Sequence, residues 1–381
     1  MNNFAAAFAA LPEGAQHLRK RHLDAFLRDG LPTKALEDWR YTDLSALAER
    51  PLALAGAEHP PLPTLTGAQT VAFANGRFVS GDRSLAHAAV PDLTPGAVTA
   101  LNAAFATAGL ELDVPAGQPR APLHVVTWFG GGAGGMAHLR HRIRLAPGAS
   151  LTLVVHELGD GAPFFCTQVF DIDLAENSRL DFYRVQQFGA GTTALTRLDA
   201  RLAGDARFNG VGLYAGGALV RNDLNVALEA PGADAELHGV LAPAAGEHLD
   251  VHTRLDHRGP RGRSREGFRC IVPAKARAIF NGKVIVHPGA QKTDSEQHVD
   301  SLLLAPGAEV DAKPELEIFA DDVKCAHGAT CGQLDEDALY YLRTRGLDLA
   351  SARNLLLRSF AQHVLDRIGF EPARKLAEGM L

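Results

Sequence analysis

LAPGASL at residues 145–151, LAENSRL at 174–180 and LAGDARF at 202–208 carry the same phrase three times. An apolar residue is followed by a turn containing Gly, Asp, Glu or Asn, then a small residue, then an apolar one. The phrase returns as LEAPGADAEL from Leu228 and LAPGAEV from Leu304, and more loosely as IVPAKARAIF from Ile271. Successive starts lie 29, 28, 26, 43 and 33 residues apart. Near-regular periods of this size mark units that bury their apolar faces only by stacking on one another. Short apolar runs fill the intervals, and no helix-length run of 3.6 period lies between the phrases, which argues against leucine-rich and ankyrin repeats. The reading is mainly β, a β-solenoid over residues 116–330, with rungs about 4.8 Å apart and Val, Leu, Ile and Phe inside. A β-sandwich is the structural alternative. The 43-residue interval contains RGPRGRSREG, read as a loop excursion, with Arg258, Arg261, Arg263 and Arg265 as a solvated basic cluster.

Outward from this array the period changes. In residues 1–115, read as a mainly helical N-terminal domain, Ala15, Leu18, Leu23, Phe26 and Leu27 approximate a helical stripe, and Gly30 with Pro32 stops it. PPLPTL at 60–65 is a connector. Residues 331–381 read as a C-terminal helical domain. In LDEDALYYLRTRG, Asp335 caps, Glu336 and Asp337 fill the first turn, Arg343 and Arg345 the last, and Gly346 ends the helix. A second helix starts at Asp348 and runs through Ile368. Its stripe of Ala352, Leu356, Phe360, Val364 and Ile368 is widened by Leu355, Leu357 and Leu365, so it packs on two sides or offers one to a partner.

With 46% hydrophobic and 22% charged residues, the 381-residue chain can bury a real core. A net charge of -6 gives no case for nucleic acid or an anionic membrane. Cysteines at 166, 270, 325 and 331 are too few for a disulfide scaffold and point to a reducing, cytoplasmic setting. The opening MNNFAAAFAALPEG lacks a basic n-region and does not read as a signal peptide. The uncharged stretch 93–110 is broken by threonines, Pro95, glycines and Asn102, so no membrane span is expected.

Three constellations carry chemistry. GGGAGG at 130–135 formally satisfies G-x-G-x-x-G, but the alternating MAHLRHRIRL that follows opens no helix to hold a pyrophosphate, so it reads as a turn. His248, Asp250 and His252 share one strand face and could hold a metal, although alternating strands make such rows by default. The densest cluster is ADDVKCAHGATCG at 320–332. Cys325 and His327 project from one strand face about 6.6 Å apart, and both side-chain types bind iron. Two ligands are half of an iron–sulfur site, which normally takes four, so the rest must come from sulfide, a small molecule or a second chain.

FNGKVIV, AQKTDSEQ, LLLAPGAEVDAKPELEIFADDVKCAHGAT and LYYLRTRG, with GLP…EDWRYTDL at 30–44, resemble the SufB/SufD family of the Suf iron–sulfur assembly system, most closely its SufD branch. The resemblance implies a right-handed parallel β-helix between helical terminal domains. It implies a non-enzymatic scaffold that pairs with SufB through the β-helix ends and binds the ATPase SufC through its C-terminal helices. Cys325 and His327 map onto the motif pair at the SufB–SufD junction, where a transient cluster or iron would sit; none is expected in the isolated chain, which could form a homodimer. SufB carries Glu after the equivalent histidine, whereas Gly328 stands here. Cys331 departs from the usual small apolar residue and is an auxiliary ligand or, the favoured reading, a packing substitution. Two other classes stand beside this one. A β-helix polysaccharide hydrolase or lyase would use Asp321, Asp322 and His327, and a self-associating structural module would have no cluster role.

Overall fold

The computed structural model describes residues 2–87, 90–91 and 96–381, so the start of the stretch at 93–110, with Pro95, lies outside the described residues. From Leu123 to Gly332 the chain winds as a parallel β-solenoid in which successive strands alternate between two sheets. Sheet I stacks Gly135–Leu145, Phe164–Leu174, Thr192–Leu202, Leu219–Leu228, His248–His257, Arg277–Val286 and Glu309–Ile318 in that order. Sheet II stacks Leu123–Phe129, Ser150–Gly159, Arg179–Gln187, Arg207–Ala215, Asp234–Ala242, Arg263–Val272, Asp294–Leu303 and Lys324–Gly332. Period-2 alternation sends every second side chain into the space between the sheets. Phe170, Phe182 and Phe208 follow one another there, with centroids 5.5 and 6.1 Å apart, and Phe268 meets Phe280 at 4.6 Å.

The recurring phrase is a corner. Gly148, Asn177, Asp205 and Gly232 occupy equivalent positions with φ between 55° and 75°, where Gly, Asn and Asp cost least. Each corner stacks on the next through backbone hydrogen bonds, as from Gly148 N to Glu176 O and from Asn177 N to Gly204 O. The 43-residue interval is corrected by this geometry. It holds one whole rung plus half of another, because the copies at Leu228 and Ile271 mark opposite corners. The intervening corner went unseen since Arg261 takes the left-handed position, with φ 58°. RGPRGRSREG is therefore no loop excursion: Arg263 and Arg265 lie on the strand Arg263–Val272 and pair with Asp234 and Asp294.

Strands within the first 115 residues join both sheets. Gln69–Ala74 extends sheet II and forms an antiparallel hairpin with Arg77–Ser80, while Ala53–Leu54 and Glu111–Val114 flank Gly135–Leu145 in sheet I. Phe73, Leu85, Leu110 and Leu112 belong to the solenoid's core cluster and close that end of its interior. Helices α1 (Asn2–Ala9), α2 (Glu13–Asp29) and α3 (Ala97–Phe105) form a second core against sheet I, where Phe4 meets Phe26 and Phe165. The expected α2 stripe is partly displaced. Arg19, His22, Leu23 and Phe26 are buried, while Leu18 is 57% exposed, because Arg19 Nε donates to Ala106 O of the α3 end.

Helix α4 (Glu336–Thr344) starts at Asp335, whose carboxylate accepts from Asp337 N and Ala338 N. Helix α5 (Leu349–Leu365) ends one turn earlier than expected, although Ile368 still packs, and α6 (Glu371–Glu378) follows. Ala361, Val364, Leu365 and Ile368 lie against the outer face of sheet II at Val211, Leu213 and Val240, and Leu349 and Leu355 stay exposed. Among the described residues no helix is long and apolar enough to cross a membrane.

Candidate functional site at the open end of the solenoid

The two ends of the solenoid differ. One is closed by the hairpin and by Leu85, Leu110 and Leu112. At the other, among the described residues, Lys324–Gly332 bonds only to Asp294–Leu303, and Glu309–Ile318 only to Arg277–Val286, so both are edge strands with a free side. Ile318, which ends the second of these strands, and Phe319 after it are 42% and 60% exposed.

Cys325, His327, Ala329 and Cys331 continue the inward columns of sheet II. Register places Cys325 over Ser295 and Ser264, His327 over Gln297 and Glu266, and Cys331 over Ser301 and Cys270. Strand alternation alone had placed Cys325 and His327 on one face; stacking places that face at the mouth of the interior. With no rung above them, His327 and Cys331 are exposed and Cys325 is half-buried. Burial pushes the Cys325 thiol up, partly opposed by the Ser295 backbone, so a metal bound there would first displace a proton. Cys331 lies about 20 Å along the strand from Cys325 and about 13 Å from His327, too far to share one ion with them. It stacks on Ser301 and stands exposed at the open end, with nothing over it among the described residues.

Below the mouth the sheet II side of the interior is polar at Ser295, Gln297 and Ser301, unexpected from the sequence, while Ala278, Phe280 and Val284 keep the sheet I side apolar. Gln297 Nε2 donates to Glu266 Oε2 at 2.6 Å, and both residues are buried. Burial raises Glu266 from 4.5 to about 7, with Thr253 and Gln297 pulling the other way. Gly282 makes this possible, because a Cβ there would meet Gln297 Nε2 at 2.2 Å. Deeper in, Glu157, Arg184, Gln168, Asn222 and Thr196 form a second buried network. A signal for both existed in the inward register of Glu157, Arg184 and Glu266, and only for Glu266 did it need the corner at Arg261.

The other candidates have structural roles. His248, Asp250 and His252 do share the outer face of sheet I, and the N-terminal segment docks on them. Thr42 Oγ1 donates to Asp250 Oδ2 at 2.5 Å and lies 3.0 Å from His248 Nε2, while His252 and Arg221 also reach Asp250. Trp39 lies under the Arg221 guanidinium, 4.0 Å from ring centroid to Cζ. Among the described residues no group of three or more His, Cys, Asp or Glu is arranged to hold a metal ion. GGGAGG is a turn into a strand, with Gly131, Gly132 and Gly134 at positive φ. Asp321 and Asp322 sit exposed in a corner, and Asp322 pairs with Lys292.

Residues 128–360 match the family described as SUF system FeS cluster assembly, SufBD core domain. The chain is 31% identical to the iron-sulfur cluster assembly protein SufD of Escherichia coli over 372 residues, covering 92% of this chain and 88% of that one. It is 35% identical to an iron-sulfur cluster assembly SufBD family protein of Synechocystis, over 54% of this chain and 46% of that one. A Mycobacterium tuberculosis SufBD family protein is 27% identical over 97% of this chain and 94% of its own length. A solenoid whose CAH-bearing strand ends the stack, a match over most of its rungs and near full-length similarity to SufD agree: this chain belongs to the SufB/SufD family of iron–sulfur cluster assembly proteins and is most like SufD.

Proposed function

We propose that this chain is a non-enzymatic, cytoplasmic scaffold subunit for iron–sulfur cluster assembly, pairing with SufB and binding the ATPase SufC. The observation that carries the reading is the open end, where Cys325 and His327 stand on the inward face of an edge strand with no rung above them. A SufB-type partner stacked on that edge would satisfy the free backbone groups, cover Ile318 and Phe319, and bring further ligands to the pair. The nascent cluster, or iron, is cargo here: one thiolate and one imidazole supply half of a four-ligand set, so the cluster belongs to the junction. When the partner is absent, the same edge suits a second copy of the chain. Tyr340 and Tyr341 on α4 and Leu349 and Leu355 on α5 are exposed and would be apolar contacts for the ATPase. ATP-driven pairing of two ATPase copies would then strain the junction and open it.

Co-expression with a SufB and a SufC homologue, followed by anaerobic reconstitution and Mössbauer spectroscopy, tests this reading. We expect a stable complex that yields a cluster, with yield reduced by His327→Ala and altered iron spectra in Cys325→Ser. Normal yield and unchanged spectra in both variants would remove the pair from the site.

A further inference from the structure

The outer face of the same terminal strand carries a second feature. Thr330 lies three residues beyond His327 and points away from the mouth. Its hydroxyl donates to Asp300 Oδ1 on the neighbouring strand, where His298 Nε2 also sits 2.9 Å away. The other carboxylate oxygen, Oδ2, meets Arg269 Nη2 at 3.3 Å one rung further back. Arg269, Asp300 and Thr330 are register partners, so the three form one column across the last three strands of sheet II. Arg269 also reaches out of the sheet: its Nη1 donates to Phe360 O of α5 at 3.0 Å, and its guanidinium lies over the Phe360 ring at 4.5 Å. Arg269 and Asp300 are 20% and 17% exposed, so their pair is shielded more than a surface ion pair, while Thr330 at the end of the column is exposed.

We propose that Asp300 is the positioning residue of the strand bearing Cys325 and His327, and that through Arg269 it makes this strand's placement depend on helix α5. An edge strand has backbone bonds on one side only, so a charge-assisted side-chain bond at Thr330 is a large fraction of what holds its distal half. Arg269 is shared between Asp300 and the Phe360 carbonyl and ring. A shift of α5 therefore pulls the guanidinium from the carboxylate or drags it along, and either movement reaches Thr330. The carboxylate is the joint: Oδ1 serves the strand and Oδ2 serves the helix.

The inference rests on reading strand 324–332 as the functional edge. Its test uses neither cluster nor partner, so its failure is distinguishable from failure of that reading. Amide hydrogen exchange is measured by mass spectrometry on the full chain, following the peptide over 324–332 with the strand Arg207–Ala215 as control. Thr330→Val and Asp300→Asn are each expected to speed exchange over 324–332 about tenfold, the loss expected of one hydrogen bond to a charged group. Thr330→Ser, which keeps the donor, is expected to restore wild-type exchange, and a merely packing role for the side chain would not give that rescue. Phe360→Leu keeps an apolar helix but removes the ring under Arg269. It is expected to speed exchange over 324–332 in the wild-type background and to add nothing once Asp300→Asn is present. If Asp300→Asn also loosens the control strand, Thr330→Val with its serine rescue decides the strand half of the proposal. Unchanged exchange over 324–332 in Thr330→Val, or a Phe360→Leu effect that persists undiminished beside Asp300→Asn, would overturn it.

Discussion

Arg184 and Glu157 form an ion pair inside the solenoid, Nε to Oε2 at 2.5 Å, with 2% and 0% of their side chains exposed. Arg184 also donates to Asn222 Oδ1 at 2.5 Å and to Thr196 Oγ1 at 2.7 Å, so one guanidinium ties sheet II to sheet I across the core. Removing one partner leaves the other charge buried without compensation. Arg184→Leu should cost about 3–5 kcal/mol in urea unfolding, and pairing it with Glu157→Leu should cost clearly less than the two single losses added together.

Asp250 is the matching joint on the outside of sheet I. Burial opposes its charge, yet His252, Arg221 and Thr42 outweigh burial and hold its carboxyl below the ordinary range. Asp250→Ala should release the segment around Thr42 and cost about 2–3 kcal/mol, as expected for hydrogen bonds to a charge. Limited proteolysis should then cut faster within residues 30–50, with the solenoid fragment left intact.

Glu266 gives the chain a pH dependence with a definite sign. Its carboxyl is raised from 4.5 to about 7, so between these values the folded chain keeps a proton that the unfolded chain has lost. Stability from this residue is therefore full below 4.5, falls as pH rises to about 7, and is level above. The loss amounts to about 3 kcal/mol by the usual conversion of such a shift. Buried His138 and His141, held down to about 3 by desolvation, slope the opposite way. Wild type compared with Glu266→Gln isolates the carboxyl: the variant should lack the loss between pH 5 and 7 in chemical denaturation.

The four thiols should react in an order set by position. Cys331 is exposed, Cys325 is half-buried with its thiol pushed up, and Cys166 and Cys270 are buried. Burial pushes Cys270 up to about 12 and Cys166 well above its ordinary value. Alkylation read by peptide mass spectrometry should mark Cys331 first and Cys325 more slowly. Cys166 and Cys270 should be modified only on unfolding, since the thiolate is the reacting form. Early modification of Cys270 would contradict the closed interior.

Much of this architecture was legible in the chain itself, wherever the rule is local. Asn177, Asp205, Gly148 and Gly232 mark corners because a left-handed turn residue is chosen by its own backbone. Asp335 and Gly346 bracket α4 by capping chemistry, and Cys325 and His327 share a face because side chains alternate along any strand. Those regularities led to the β-solenoid, the terminal helices and the candidate pair. The same local rules failed at Arg261, where an arginine fills a corner usually given to Gly, Asn or Asp, and a rung was read as a loop.

What tertiary structure alone decided is everything that depends on which residues stack about one rung apart. His327 lies over Gln297 and Glu266, Thr330 over Asp300 and Arg269, and Arg184 reaches across to Asn222, all through rung-to-rung register or contact between sheets. A strand's own sequence states which way its side chains point, but not what lies above or below them. That the Cys325 and His327 face is the last one, open and with Ser295 and Gln297 beneath it, follows from the stack ending there. On the function proposed above, the pair would supply half of a site whose other half arrives from another chain.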